Sequence, residues 1–151
     1  MTEPAGSFRI GVFAIIVHDG QVLLARRRDI GWWNLPGGGM ERGETVDEAL
    51  RREVREEIGI EIAIVRLVGV YSKPQKDEVV LTFLCYPAQG KPQVSAEISE
   101  VRYFAPHALP GRTLPKHRER IADAFLQQPE AIIRAQRTAT QEDQREPETS
   151  D

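Results

Sequence analysis

The sequence predicts an α+β or α/β sandwich built around a mixed sheet. Three observations carry that expectation. Apolar runs rich in β-branched residues recur along the chain, bounded by turn residues. Neighbouring runs are joined by short polar turns, which is how hairpins read in sequence. One stretch, residues 45–58, instead repeats its apolar residues at helical spacing.

Residues 8–17, "FRIGVFAIIV", are almost continuously apolar and predict a strand buried on both faces. "HDGQ" supplies a turn, and "VLLARRR" is the expected hairpin partner. Residues 29–43 contain five glycines and a proline and predict a loop, pinned to the body by Trp32, Trp33 and Leu35. Thr45 followed by Glu48 is a capping-box pattern, and Val46, Leu50, Val54 and Ile58 form one apolar stripe before Gly59 stops the helix. "IEIAIVRLVGVY" and "EVVLTFLCYP" predict two more strands across the polar loop "SKPQKD", and "ISEVRYF" a shorter one. Residues 115–136 predict helix, in two pieces around Pro129. The polar residues 137–151 cannot bury enough apolar surface to order themselves, which leaves residues 1–136 as one domain with a disordered tail.

Composition narrows the function classes. The chain has 151 residues, 28% of them charged, with a formal net charge of -3. That balance lacks the basic excess of a broad nucleic-acid face. No apolar run approaches the roughly 18 residues that span a bilayer, and "MTEPAGSF" has no secretory pattern, so the expectation is a cytoplasmic protein without membrane contact. The single cysteine, Cys85, lies in the apolar run "VVLTFLCY" and reads as a small core residue.

The helix at 45–58 raises the functional question. Glu53, Glu56 and Glu57 fall at i, i+3 and i+4 and so crowd one edge of it, beside the apolar stripe. A solvated face laced with salt bridges is one reading. The other is that a hard divalent cation relieves the repulsion, since Mg²⁺ takes carboxylate oxygens together with water and substrate phosphates. The preceding Gly37-Gly38-Gly39 permits close backbone approach. Metal bound to phosphate points in turn to phosphoryl chemistry.

The stretch Gly38–Ile60 resembles the box that defines the Nudix hydrolases. Gly38, Glu44, Arg52, Glu53, Val54, Glu56, Glu57, Gly59 and Ile60 all stand in the register of that pattern. With the "WNLPGG" lead-in and the flanking strands, the resemblance covers residues 8–127. It implies an α/β/α sandwich and Mg²⁺- or Mn²⁺-dependent cleavage of a nucleoside diphosphate linked to another moiety. The group of substrates spans (d)NTPs, oxidised dNTPs and ADP-ribose-like nucleotide sugars. It assigns Glu53, Glu56, Glu57 and the Gly37 carbonyl to metal, and Arg52 and Glu44 to orienting those carboxylates. It leaves the proton acceptor among the box glutamates, Glu97 and nearby Glu100. It also admits a homodimer, and, as an alternative, a non-catalytic nucleotide sensor on the same fold. Action on the 5′ end of RNA needs a basic track that the net charge argues against.

Other residues carry simpler readings. Trp32 and Trp33, like Tyr71 and Phe83, suit stacking on a base but suit packing better. His18, His107 and His117 lack metal spacing and read as surface or turn residues. Arg26, Arg27 and Arg28 read as a solvated run, with one of them in reach of a phosphate as the sharper alternative. Pro74 stands 14 residues after Ile60, about one position short of a proline that marks the ADP-ribose branch of the family.

Overall fold

A computed structural model describes residues 6–137 of the chain. The strand β1 (Arg9–His18) runs through its middle. Val12–Ile16 are all buried, as the unbroken apolar run requires. Asp19 and Gly20, both at positive φ, turn it into β2 (Gln21–Arg27) as an antiparallel hairpin.

The expected loop 29–43 is in part strand. It contains β3 (Trp33–Asn34), paired to β2, and β4 (Gly37–Gly39), paired to β1. Glycines lack the side chains that advertise a strand, so the pattern hid β4. The helix α1 (Val46–Ile58) has its capping box formed and Gly59 in the left-handed region at its end, as expected. Next come β5 (Glu61–Lys73), a 3-10 turn at Pro74–Lys76, β6 (Glu78–Gln89), β7 (Ile98–Phe104) and α2 (Pro115–Phe125).

The second half of the helix predicted at 115–136 is corrected. The chain leaves α2 at Leu126, turns through Gln127 at positive φ, and forms β8 (Ile132–Ala135) parallel to β5. A parallel partner so distant in sequence leaves no local signature, whereas "AIIRAQ" is locally acceptable as helix. The tail expected to be disordered lies, beyond Arg137, outside the described residues.

The sheet runs β3-β2-β1-β6-β5-β8, with β4 on β1 and β7 on β2. It is mixed, since β1–β6 and β5–β8 are parallel and the remaining pairs antiparallel. Alternate residues of β1 serve opposite faces. Val12, Ala14 and Ile16 join Leu50, Val54 and Ile58 of α1, while Phe13 and Ile15 join Ile121 and Ala124 of α2. One helix therefore covers each face, and the expected sandwich is the fold observed. Along one edge β1 changes partner: Gly11–Phe13 pair with β4 and Val17–His18 with β2. The sheet forks there, and α1 packs against β4 beside the fork.

Candidate active site

The glycines of β4 let the main chain lie between β1 and the carboxylates of α1. Gly37 has φ +152°, and a Cβ on it would stand 2.2 Å from the Val12 carbonyl oxygen. A Cβ on Gly38 would stand 2.5 Å from Glu53 Oε2. Neither position has room for a side chain, so the glutamates rest directly on backbone.

Glu57 is 8% exposed. Its Oε2 accepts the Gly37 N–H at 3.0 Å, and its carboxyl lies beside that of Glu53. Burial pushes the Glu57 carboxyl well above the usual carboxylate range, and the Glu53 and Glu97 charges push the same way. Glu53 is raised too, by burial first, against the opposing pull of Arg52. Two carboxylates held this close repel unless positive charge lies near them, and a divalent cation placed there would supply it.

Arg52 organises the outer side of the cluster. Its Nε and Nη2 donate to the two oxygens of Glu44 at 2.6 and 3.0 Å, a bidentate pair. Nη1 donates to Glu53 and to Glu56, both at 3.1 Å, and Nη2 also to the Gly39 carbonyl at 3.0 Å. The Glu44 hydrogen bond raises the guanidinium pKa further, and Arg52 in turn lowers that of Glu44. One guanidinium thus ties the β4 backbone, the loop before α1 and two of its glutamates together.

The three box glutamates do not meet at one point as they stand. Glu53 and Glu57 face each other, while the Glu56 side chain is 59% exposed and held outward by Arg52. Among the described residues no group of three or more acidic, histidine or cysteine side chains is gathered closely enough to hold an ion. The donor set still fits one. The Glu53–Glu57 pair is buried, all oxygen, and short of positive charge on its inner side.

A cleft of about 470 Å³ opens over the cluster, lined by Gly39, Met40, Arg52, Glu53, Glu57 and, opposite them, Glu97. Glu97 sits on the segment before β7, which is pinned from several sides. Arg28 N–H donates to the Glu97 carbonyl at 2.9 Å, Arg28 Nε to the Ser95 carbonyl at 3.1 Å, and Gln93 N–H to the Ile58 carbonyl at 2.8 Å. The Glu97 carboxylate has no ion pair among the described residues, whereas Glu100 is paired with Arg26 and Arg102.

The remaining sequence expectations sort cleanly. Trp32 and Trp33 are buried, and Trp33 packs edge-on against Phe104 at 5.0 Å, so they anchor the loop. Tyr71 is fully buried and donates to Asp123 at 2.9 Å. Cys85 is buried in the core, its thiol pushed up to about 12 by burial. Arg27 pairs with Asp29, and Arg26 with Glu100. His117 departs from its reading as a surface or turn residue, being 1% exposed on α2. Its spacing gave no metal signal, and only the fold reveals that its ring meets the loop before β4.

Comparison with known proteins gives the family. The NUDIX domain family model matches residues 7–127. A MutT-like protein of Streptomyces ambofaciens is 36% identical over 117 residues, 77% of this chain and 76% of its own. An ADP-ribose pyrophosphatase of Methanocaldococcus jannaschii is 34% identical over 108 residues, 67% of this chain and 64% of its own. The crystal structure of a NUDIX hydrolase from Nitrosomonas europaea superposes with a TM-score of 0.80 at 25% identity, covering 91% of this chain and 83% of that one.

Proposed function

This chain belongs to the NUDIX family, and from that premise we propose that it hydrolyses the pyrophosphate linkage of a nucleoside diphosphate derivative with Mg²⁺ or Mn²⁺. The family generally uses divalent metal ions. The observation that carries the proposal is the buried Glu53–Glu57 pair, laid on glycine backbone at the floor of an open cleft with positive charge on one side only.

In this reading Glu53, Glu56 and Glu57 would hold the ion together with the Gly37 carbonyl. The bound ion would supply charge neutralisation for the diphosphate and acidify a water. The protein's own groups do the rest. Gly37 N–H fixes the Glu57 carboxylate, and Arg52, clamped by Glu44, fixes Glu53. Glu97, unpaired and across the cleft, takes the proton of the attacking water. The water oxygen bonds to phosphorus, the bridging P–O bond breaks, and a phosphate-bearing leaving group departs. The (d)NTP and ADP-ribose-like groups of substrate differ in product. The first gives pyrophosphate and a nucleoside monophosphate, the second a sugar phosphate and a monophosphate.

The test is a panel of nucleoside diphosphate derivatives with Mg²⁺ or Mn²⁺, products resolved chromatographically, and EDTA as control. Cleavage of at least one member, abolished by EDTA, is expected. Cleavage of none, or cleavage indifferent to chelation, overturns the proposal.

A further inference from the structure

We propose that His117, on the face of the sheet opposite the glutamates, is a positioning residue for the active-site backbone. The inference rests on the functional reading above, because what His117 holds in place is the segment that carries Gly37.

The backbone hydrogen bonds of that segment can be followed one by one. Trp33 N–H donates to the Arg112 carbonyl and Leu114 N–H to the Trp33 carbonyl. Pro36 has no N–H, and its carbonyl accepts from Ala14 at 2.9 Å. Gly37 N–H goes to Glu57. Leu35 is fully buried, and its N–H has no strand partner, so a side chain must accept it. That side chain is His117, whose Nδ1 takes the Leu35 N–H at 2.9 Å. Two side chains from opposite faces of the sheet thus hold residues two apart: His117 of α2 holds Leu35, and Glu57 of α1 holds Gly37.

The imidazole is itself fixed. Phe13 meets it edge-on, with centroids 5.1 Å apart. The same Phe13 ring lies 2.6 Å from where a Gly37 Cβ would be, so the packing that sets His117 also bounds Gly37. An Nδ1 that accepts a backbone N–H carries no proton, which leaves the neutral ring protonated at Nε2. Loss of the acceptor would strand a buried N–H and free Leu35 to shift, carrying Gly37 with it.

The test pairs ring NMR with two variants. In the full chain, ¹⁵N shifts of the His117 ring are expected to show bare Nδ1 and protonated Nε2; a proton on Nδ1 overturns the inference. His117→Asn places an oxygen where Nδ1 was, whereas His117→Leu fills the space without an acceptor. Mn²⁺ affinity, read by electron paramagnetic resonance without substrate, should weaken about 10-fold in H117L and return to within about threefold of wild type in H117N, the scale of groups that orient ligands. The kcat should fall in step with KM unchanged. A core residue of purely structural importance would lower thermal stability in both variants and leave Mn²⁺ affinity alone, and that result overturns the inference. If H117L fails to fold, His117→Gln, whose oxygen lies farther along the chain, takes its place and must bind Mn²⁺ more weakly than H117N. Wild-type protein that binds no Mn²⁺ would refute the functional reading instead, and the ring shifts would still decide whether His117 accepts from Leu35.

Discussion

Asp123 and Glu57 are both buried carboxylates, one on each helix, and the protein treats them in opposite ways. Asp123 accepts the Tyr71 hydroxyl at 2.9 Å and two guanidinium nitrogens of Arg134, at 3.1 and 2.6 Å. Glu57 accepts one backbone N–H and otherwise faces Glu53 and the field of Glu97. On the α2 side the charge is answered within the fold, down to Arg120, which is fully buried, bonded to Gln136 and set over the rings of Phe13 and Tyr71. On the α1 side no cation among the described residues answers the Glu57 charge, and that is where the proposed ion would sit. A satisfied buried charge serves the fold; an unsatisfied one in an open cleft marks where function enters.

The strongest way to break this comparison is to neutralise each carboxylate. Glu57→Gln should lower kcat roughly a thousandfold, the scale on which a preorganised electrostatic group acts. In EDTA it should also melt at a higher temperature than wild type, because an uncompensated buried charge is gone. Asp123→Asn should do the reverse. Replacing the buried acceptor of Tyr71 and the half-exposed Arg134 costs about 1–3 kcal/mol, roughly 5 °C in Tm for a chain of this size, while kcat of the folded fraction stays within about twofold. Calorimetry and steady-state kinetics on both variants check the pair. If both lose only stability, the two regions are alike and the contrast fails.

Part of this contrast was legible in the sequence. The box spacing put Glu53 and Glu57 on one edge of a helix beside its apolar stripe, and the capping pattern placed the helix itself. The β1 run and its "DG" turn were equally readable. The α2 side was not. Strand β8 is specified by a distant parallel neighbour, and Asp123 meets Arg134, and Arg120 meets Gln136, only once that strand is in place. Sequence also counted three box glutamates as equals, whereas Arg52 draws Glu56 outward and leaves a buried pair. His117 stayed hidden because its partner is a backbone amide 82 residues away.

Glu97 and Glu100 offer a finer version of the same comparison. They lie three residues apart, but Glu100 is paired with Arg26 and Arg102, and Glu97 lines the cleft without an ion pair among the described residues. Glu97→Gln should lower kcat about 100-fold, within the range for a general base. Glu100→Gln should stay within about twofold, as an exposed ion pair contributes little. Equal losses in the two variants would remove Glu97 from the chemistry.

The smallest effect is a pH dependence of stability without metal. Burial and the Glu53 charge raise the Glu57 pKa in the folded chain above its ordinary 4.5. Below that value folded and unfolded chains both hold the proton. As pH rises the unfolded chain releases it first, so folding loses free energy from about pH 5 upward, through the folded-state value. The difference in Tm between wild type and Glu57→Gln, both in EDTA, should therefore widen from pH 5 to pH 8, with wild type the lower. Added Mn²⁺ should close the gap, and most at pH 8, because an ion and a proton compete for the same oxygens. A wild-type minus Glu57→Gln difference that stays flat with pH would mean that Glu57 is already compensated within the fold, as Asp123 is.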